Sequence, residues 1–282
     1  MLSRQATERI AFTLITAAAV ATVTPIVLVV GYIAWLGAPA ISLEFLTAIP
    51  RDGMRAGGIG PAIVGTVYLS LGTALIAVPL GVAAAVYLSE YAKDNRLTRA
   101  IRIAIINLAG IPSVVYGLFG LGLFVLFLKF GTSLLAGSLT LSIMTLPVII
   151  STAEEALRSV PQSFRVVSIS LGGTKWQTIR RVVLPQALPG ILTGVILGLE
   201  RAAGETAPIL FTAAAFFLPR LPDSVFDATM ALPYHLFVIS TQVPGMPIQI
   251  QYGTALVLLV FVLSMNVIAT IIRSRARAQR QW

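Results

Sequence analysis

Gly190-Ile191-Leu192-Thr193-Gly194-Val195-Ile196-Leu197-Gly198-Leu199-Glu200-Arg201-Ala202-Ala203-Gly204-Glu205-Thr206-Ala207-Pro208 reads as a membrane-spanning helix that carries charge. Charges at bilayer depth are costly and usually face a bundle interior or a water-filled path. Helical spacing brings Arg201 and Glu205 onto one face, where they can meet. Two readings stay open for the pair. It is either an internal ion pair that pins the helix or a polar station on the route of an anion. Arginine suits phosphate or sulfate because its planar fork donates bidentate hydrogen bonds. Glu200 points about 100° away on a helix, toward the opposite wall or another helix. Gly190, Gly194 and Gly198, continued by Ala202, recur at the spacing that lets membrane helices approach closely. That surface suits packing within the chain and packing against a second subunit equally well.

The rest of the chain supports a membrane setting. Of 282 residues, 57% are hydrophobic and 11% charged, far from the roughly one quarter charged in soluble domains. Several apolar runs exceed the roughly 20 residues that cross a bilayer as a helix. The expected class is an all-α polytopic membrane protein with six transmembrane helices, at about 10–36, 62–88, 101–128, 134–153, 187–217 and 252–272. The first run is too long for the roughly 7–15-residue core of a cleaved signal peptide, so it is expected to remain as a true span. Cysteine is absent, which excludes disulfides, thiolate catalysis and Cys metal sites. The single histidine, His235, is expected to be wet or satisfied rather than a ligand.

A net charge of +9 invites a nucleic-acid reading, but the distribution opposes it. Of the 20 Lys and Arg residues, Arg51, Arg55, Lys129 and Arg220 lie opposite the termini, Arg201 lies within a span, and all others share the terminal side. That bias marks the terminal side as cytoplasmic, and the basic tail suits anionic lipid headgroups. The region 37–61 reads as an external loop. A second external stretch, about 218–251, is rich in proline, and its centre Val225 to Val238 is expected as a short helix in the interface or across the external mouth.

The longest cytoplasmic stretch is about 154–186. Phe164, Val167 and Leu171 recur at helical spacing. Gly172-Gly173 stops that helix, because glycine takes the left-handed C-terminal position cheaply. Thr174-Lys175-Trp176-Gln177 then forms a capping box for a second helix, and Pro185 and Pro189 precede the next span. The element is either a structural hairpin or a docking surface for a partner, since no soluble part of this chain could cover its apolar edge. In the third span, Gly110-Ile111-Pro112 implies a break that serves as a hinge, a cavity wall or a tolerated irregularity.

Three stretches together resemble the permease subunits of ATP-binding-cassette importers with the MetI-like fold, and among them the phosphate-transport, PstA-like branch. They are Pro112-Ser113-Val114-Val115-Tyr116-Gly117-Leu118-Phe119-Gly120, Glu154-Glu155-Ala156-Leu157-Arg158-Ser159-Val160-Pro161 and Gly204-Glu205-Thr206-Ala207-Pro208. The resemblance covers about 62–273, the expected permease domain, with 1–61 as an N-terminal helix plus external loop and 274–282 as a basic cytoplasmic tail. It implies that Arg201, Glu205 and Thr206 line the phosphate path, and that Phe164, Val167, Leu171 and Gly172 couple to an ATPase. The importer coupling motif reads Glu-Ala-Ala-x-x-x-Gly, followed by Ile-x-Leu-Pro. Gly172 and Val182-Val183-Leu184-Pro185 keep the second half, whereas Val166-Val167-Ser168 replaces Glu-Ala-Ala. The implied partners are a PstC-like second permease, two PstB-like ATPase subunits, an external PstS-like phosphate-binding protein and membrane lipids. The implied location is the inner membrane.

The chain has no Gly-x-x-x-x-Gly-Lys-Ser/Thr loop, so ATP and Mg belong to the partner ATPases and no cofactor is expected on this chain. The rival readings are an ion-coupled secondary transporter, an importer permease for sulfate or molybdate, and an intramembrane enzyme. The last has no His-Glu-x-x-His or Gly-x-Ser-x-Gly motif to support it.

Overall fold

A segment in lipid must satisfy its own backbone donors and acceptors, and helices do so. The computed structural model answers in that way. It describes residues 4–278, so the end of the basic tail at 279–282 lies outside the described residues. Among the described residues β-structure is limited to the isolated bridges Arg51↔Ala56 and Ala214↔Thr229.

Helix α1 (Arg4–Gly37) leads through the short α2 (Leu43–Thr47) to α3 (Gly60–Val86). A wide π-helical turn, Tyr87–Tyr91, closes α3. Next come α4 (Arg96–Ala109), α5 (Ser113–Gly120) with its π-helical extension Leu121–Phe127, and α6 (Leu134–Arg158). The helix–Gly–Gly–helix element follows as α7 (Gln162–Ser170) and α8 (Lys175–Thr178). Then come α9 (Leu184–Gly204), α10 (Ala207–Thr212), α11 (Leu232–Thr241) and α12 (Ile248–Ala278). Among the described residues five helices are long and apolar enough to cross a membrane, and the α4–α5 pair, bent by 103° at the break, makes a sixth when the two are counted as one span. The tail expected from 274 is helical as far as Ala278, continuing α12.

Helix α6 is the centre: 61% of its apolar window is buried, against none of the windows in α1 and α12. It is wedged between α3 and α9. The glycine row of α9 faces it. A Cβ on Gly190 would come within 2.5 Å of Ala156 Cβ, and one on Gly194 within 2.6 Å of Thr152 Cβ. The small-residue surface therefore serves packing inside this chain. On its other side, the Ser142 hydroxyl bonds back to Ser138 O at 2.6 Å and lies 3.3 Å from Thr73 O of α3. Helix α1 lies outermost beside α12, where the Tyr32 and Tyr252 rings meet edge to face at 5.6 Å.

Three expectations need redrawing. The fifth span ends at Gly204, not near 217; two residues interrupt the helix before α10. The apolar run Ile209–Leu218 continues the hydropathy, but Pro208 lacks the N–H that would extend the ladder. At its other end the span begins early. The helix after the capping box runs without a stop from Lys175 to Gly204, and the π-helical turn Ile179–Val183 stands just before Pro185. The external helix expected at Val225–Val238 forms instead at Leu232–Thr241. It is sunk into the molecule, with Leu232 N donating to Thr66 Oγ1 at 2.8 Å.

Candidate functional site

Arg201 occupies the last turn of α9, where the unpaired carbonyl ends favour a cation. Glu205 is the residue after the helix, in extended conformation (φ −74, ψ 134). Arg201 Nε donates to Glu205 Oε1 at 3.3 Å. Side-chain exposures are 39% and 17%, so Glu205 is the inner partner and the guanidinium the outer one. Only Nε is engaged; both Nη groups lack a protein partner among the described residues. The pair thus presents an open donor fork, held at its root by a carboxylate. Thr206, the third expected path residue, starts α10 through its carbonyl, which accepts from Leu210 N at 3.0 Å. Its hydroxyl makes no hydrogen bond within the described residues. Ser70, whose buried hydroxyl also lacks a partner, lines a narrow crevice with Glu205, Thr66 and Ala231.

The second break lies against the first. Tyr116 OH reaches over Gly110–Pro112 and donates to Leu108 O, the freed end of α4, at 2.7 Å. Gly117 lets α5 close on α10: a Cβ there would stand 2.8 Å from the Phe211 ring and 3.0 Å from Ala207 O. Tyr116, Ala202 and Ile209 share one buried cluster with Leu141 of α6. The Pro112–Gly120 motif therefore supports the segment that carries Glu205 and Thr206. Glu200, on the other flank of α9, holds a buried Oε1 without a partner.

At the opposite end of α9 the helix–Gly–Gly–helix element takes the form its turn signals dictate. Gly172 adopts φ +83, Gly172 N donates to Ile169 O at 2.9 Å and Gly173 N to Ser168 O at 3.0 Å. This pattern is a Schellman stop. The capping box is present: Thr174 Oγ1 accepts from Gln177 N at 3.2 Å and Gln177 Oε1 from Thr174 N at 2.9 Å. Phe164, Val167 and Leu171 line one apolar groove of about 530 Å³ with Gly173, Gln177 and Val182. Gly172 makes the turn that closes it. Leu171 is 84% exposed, and Val166, Val167 and Ile169 also face outward. Phe164 differs: it is half-buried and packs on the cluster of Leu157, Val160 and Val183.

Sequence reasoning missed the ion pairs beneath this element. Arg102 Nε donates to Glu154 Oε1 at 2.8 Å, and Arg158 Nη2 lies 2.9 Å from the same oxygen. Arg102 Nη2 also donates to Leu88 O at 2.9 Å. Arg165 of α7 grips Glu90 with Nη2–Oε1 at 2.6 Å and Nε–Oε2 at 3.2 Å. Lys175 sits 4.8 Å over the Tyr91 ring.

His235 is neither wet nor fully satisfied, contrary to expectation: it is 2% exposed and its Nδ1 has no partner. Burial lowers its pKa to about 4, so the imidazole is neutral near pH 7. Among the described residues no three His, Cys, Asp or Glu side chains gather as a metal site.

Residues 77–278 match the family described as binding-protein-dependent transport system inner membrane component. The chain is 35% identical over 252 residues to the probable ABC transporter permease protein YqgI of Bacillus subtilis, covering 84% of this chain and 85% of that one. It is 38% identical over 227 residues to the phosphate transport system permease protein PstA 1 of Mycobacterium tuberculosis, covering 80% and 73%. It is 34% identical over 245 residues to PstA of Xylella fastidiosa, covering 85% and 83%. Among solved structures it resembles a bacterial ABC transporter involved in alginate import (TM-score 0.68, 15% identity, 97% and 99% covered). It also resembles the MetNI methionine ABC transporter in an inward-facing conformation (TM-score 0.62, 17% identity, 76% and 94% covered).

Proposed function

Because the chain belongs to the family of binding-protein-dependent transport system inner membrane components, we propose that it is the permease subunit of an ATP-driven inorganic phosphate importer. It is a transport subunit rather than an enzyme, and it works with a further permease, ATPase components and a binding protein. We assign these finer roles to a PstC-like permease, two PstB-like ATPases that hold ATP and Mg, and an external PstS-like protein. Both termini are assigned to the cytoplasm, on the side that carries most of the Lys and Arg residues.

The observation that carries the substrate reading is the open Nη fork of Arg201 at a helix break, with Glu205 behind it. An oxyanion meeting this fork gains two charge-assisted hydrogen bonds. The nearby carboxylate limits the attraction, so a bound anion is able to leave, as conduction requires. Thr206 adds a hydroxyl within the same break. At the far end, the groove of Phe164, Val167 and Leu171 receives the ATPase.

The test is uptake of labelled phosphate by the complete transporter in proteoliposomes. Uptake is expected to require ATP and the ATPase subunits and to resist competition by sulfate and molybdate. Uptake without the ATPases, or equal competition by those anions, overturns the reading.

A further inference from the structure

Glu90 and Arg165 are 75 residues apart in sequence, yet they form the most enclosed ion pair among the described residues, with side-chain exposures of 8% and 12%. Both carboxylate oxygens are used: Arg165 Nη2 donates to Oε1 at 2.6 Å and Nε to Oε2 at 3.2 Å. The remaining donors also have work: Nη1 donates to Val160 O at 2.7 Å, and Nη2 to Leu157 O at 2.9 Å. One guanidinium on α7 therefore binds the end of α3 through Glu90 and the end of α6 through Leu157. The wide turn Tyr87–Tyr91 breaks the α-helical register of α3 just where Glu90 has to be aimed.

Helix α7 has little else to hold it there. None of its residues is fully buried, and Val166, Val167 and Ile169 face outward. Its half-buried Phe164 supplies an apolar plug. A further polar tie, Ser168 Oγ to Thr178 Oγ1 at 2.8 Å, leads to α8 and not to α3. The glutamate of the importer coupling motif is absent at the next position, Val166, so the charge of α7 is directed inward through Arg165. A bidentate, desolvated pair whose other donors are satisfied is rigid, and losing one partner strands a buried charge.

We propose that Glu90 and Arg165 form a permanent tie that makes α7 move as one body with the ends of α3 and α6. Displacement at the ATPase surface is thereby delivered to α6, the central helix, and to α3, both of which pack on α9. Arg165 acts here as a positioning residue and touches no substrate. The proposal rests on α7 being the ATPase-docking helix.

The chain has no native cysteine, which permits a reversible test in the assembled, reconstituted transporter. Glu90→Cys and Arg165→Cys are combined and measured open, then joined by a reducible bis-methanethiosulfonate linker, then reduced again. The readout is phosphate taken up per ATP hydrolysed. The open form is expected to lose about tenfold or more in that ratio, roughly the effect of one modest interaction. The linker should return most of it, and reduction should remove it again. An unchanged ratio in the open form overturns the tie. So does a linker that stops transport, because the pair would then have to open in each cycle. Loss of the ATPase from open and linked forms alike also overturns it, since the pair would then only maintain the fold. The docking premise is judged separately on Leu171→Asp, which leaves the pair intact: an ATPase that still co-purifies there removes the premise.

Discussion

The Tyr116 hydroxyl donates to the Leu108 carbonyl at 2.7 Å, across the break that turns α4 into α5. The bond closes the freed end of one helix with a side chain from the next. Tyr116→Phe keeps the ring in its buried cluster and removes only this bond. The expected loss is about 1 kcal/mol, read as a fall of about 2 °C or more in the thermal midpoint of the purified protein.

At the charged break, side-chain shape should matter as well as charge. Arg201→Ala is expected to bring phosphate uptake to background while the complex still assembles. Arg201→Lys keeps the charge without the fork and should lower uptake by about tenfold or more. Normal uptake by either variant would remove Arg201 from the path.

The glycine row of α9 offers a packing contrast. Gly194→Val drives carbon into Thr152, against which even a Cβ would stand at 2.6 Å. Overpacking of this kind costs about 1–3 kcal/mol. Gly204→Ala meets nothing within 4 Å and should leave the thermal midpoint nearly unchanged. Comparable midpoints for the two variants would contradict the α6–α9 contact.

Leu171→Asp and Phe164→Asp should separate docking from folding. Leu171 is almost wholly exposed, so its variant should keep the thermal midpoint and lose co-purification with the ATPase. Phe164 also packs inward, and its variant should lose both.

His235 gives a pH dependence with a definite sign. Its folded pKa of about 4 lies below the usual 6.5. Between these values the unfolded chain binds a proton that the folded chain refuses, so stability falls as pH drops from 6.5 toward 4. The total is roughly 3 kcal/mol, levelling off below that window. Above pH 6.5 both states are neutral and this contribution is flat. His235→Gln should flatten the profile of thermal midpoint against pH over that window; an unchanged slope would assign the dependence to other groups.

Local signals were legible where a few neighbouring residues decide the outcome. Gly172 and the Thr174–Gln177 box announce their turn and cap, and both form as read. Pro112 and Gly110 announce a break, but no local signal sets its 103° angle or the close approach of α5 to α10 at Gly117. Arg201 and Glu205 were legible as a pair because one helical turn separates them. The end of α9 was not, because hydropathy continues past a break that Pro208 enforces. Glu90–Arg165 and Arg102–Glu154 were invisible for a plainer reason. Their partners lie on different helices, and each charge alone reads as an ordinary cytoplasmic residue.

Among the described residues helix α1 packs chiefly on α12, and the apolar window of its outer flank is not buried. Shape complementarity therefore constrains that flank very little. What it must match is the oiliness and thickness of its surroundings, so swaps among Leu, Val, Ile and Phe there should pass almost unnoticed. A single lysine at its midpoint should be rejected at insertion, before folding begins. Evolution along this flank is then free in geometry and strict in solubility, the reverse of the regime that governs the glycine face of α9.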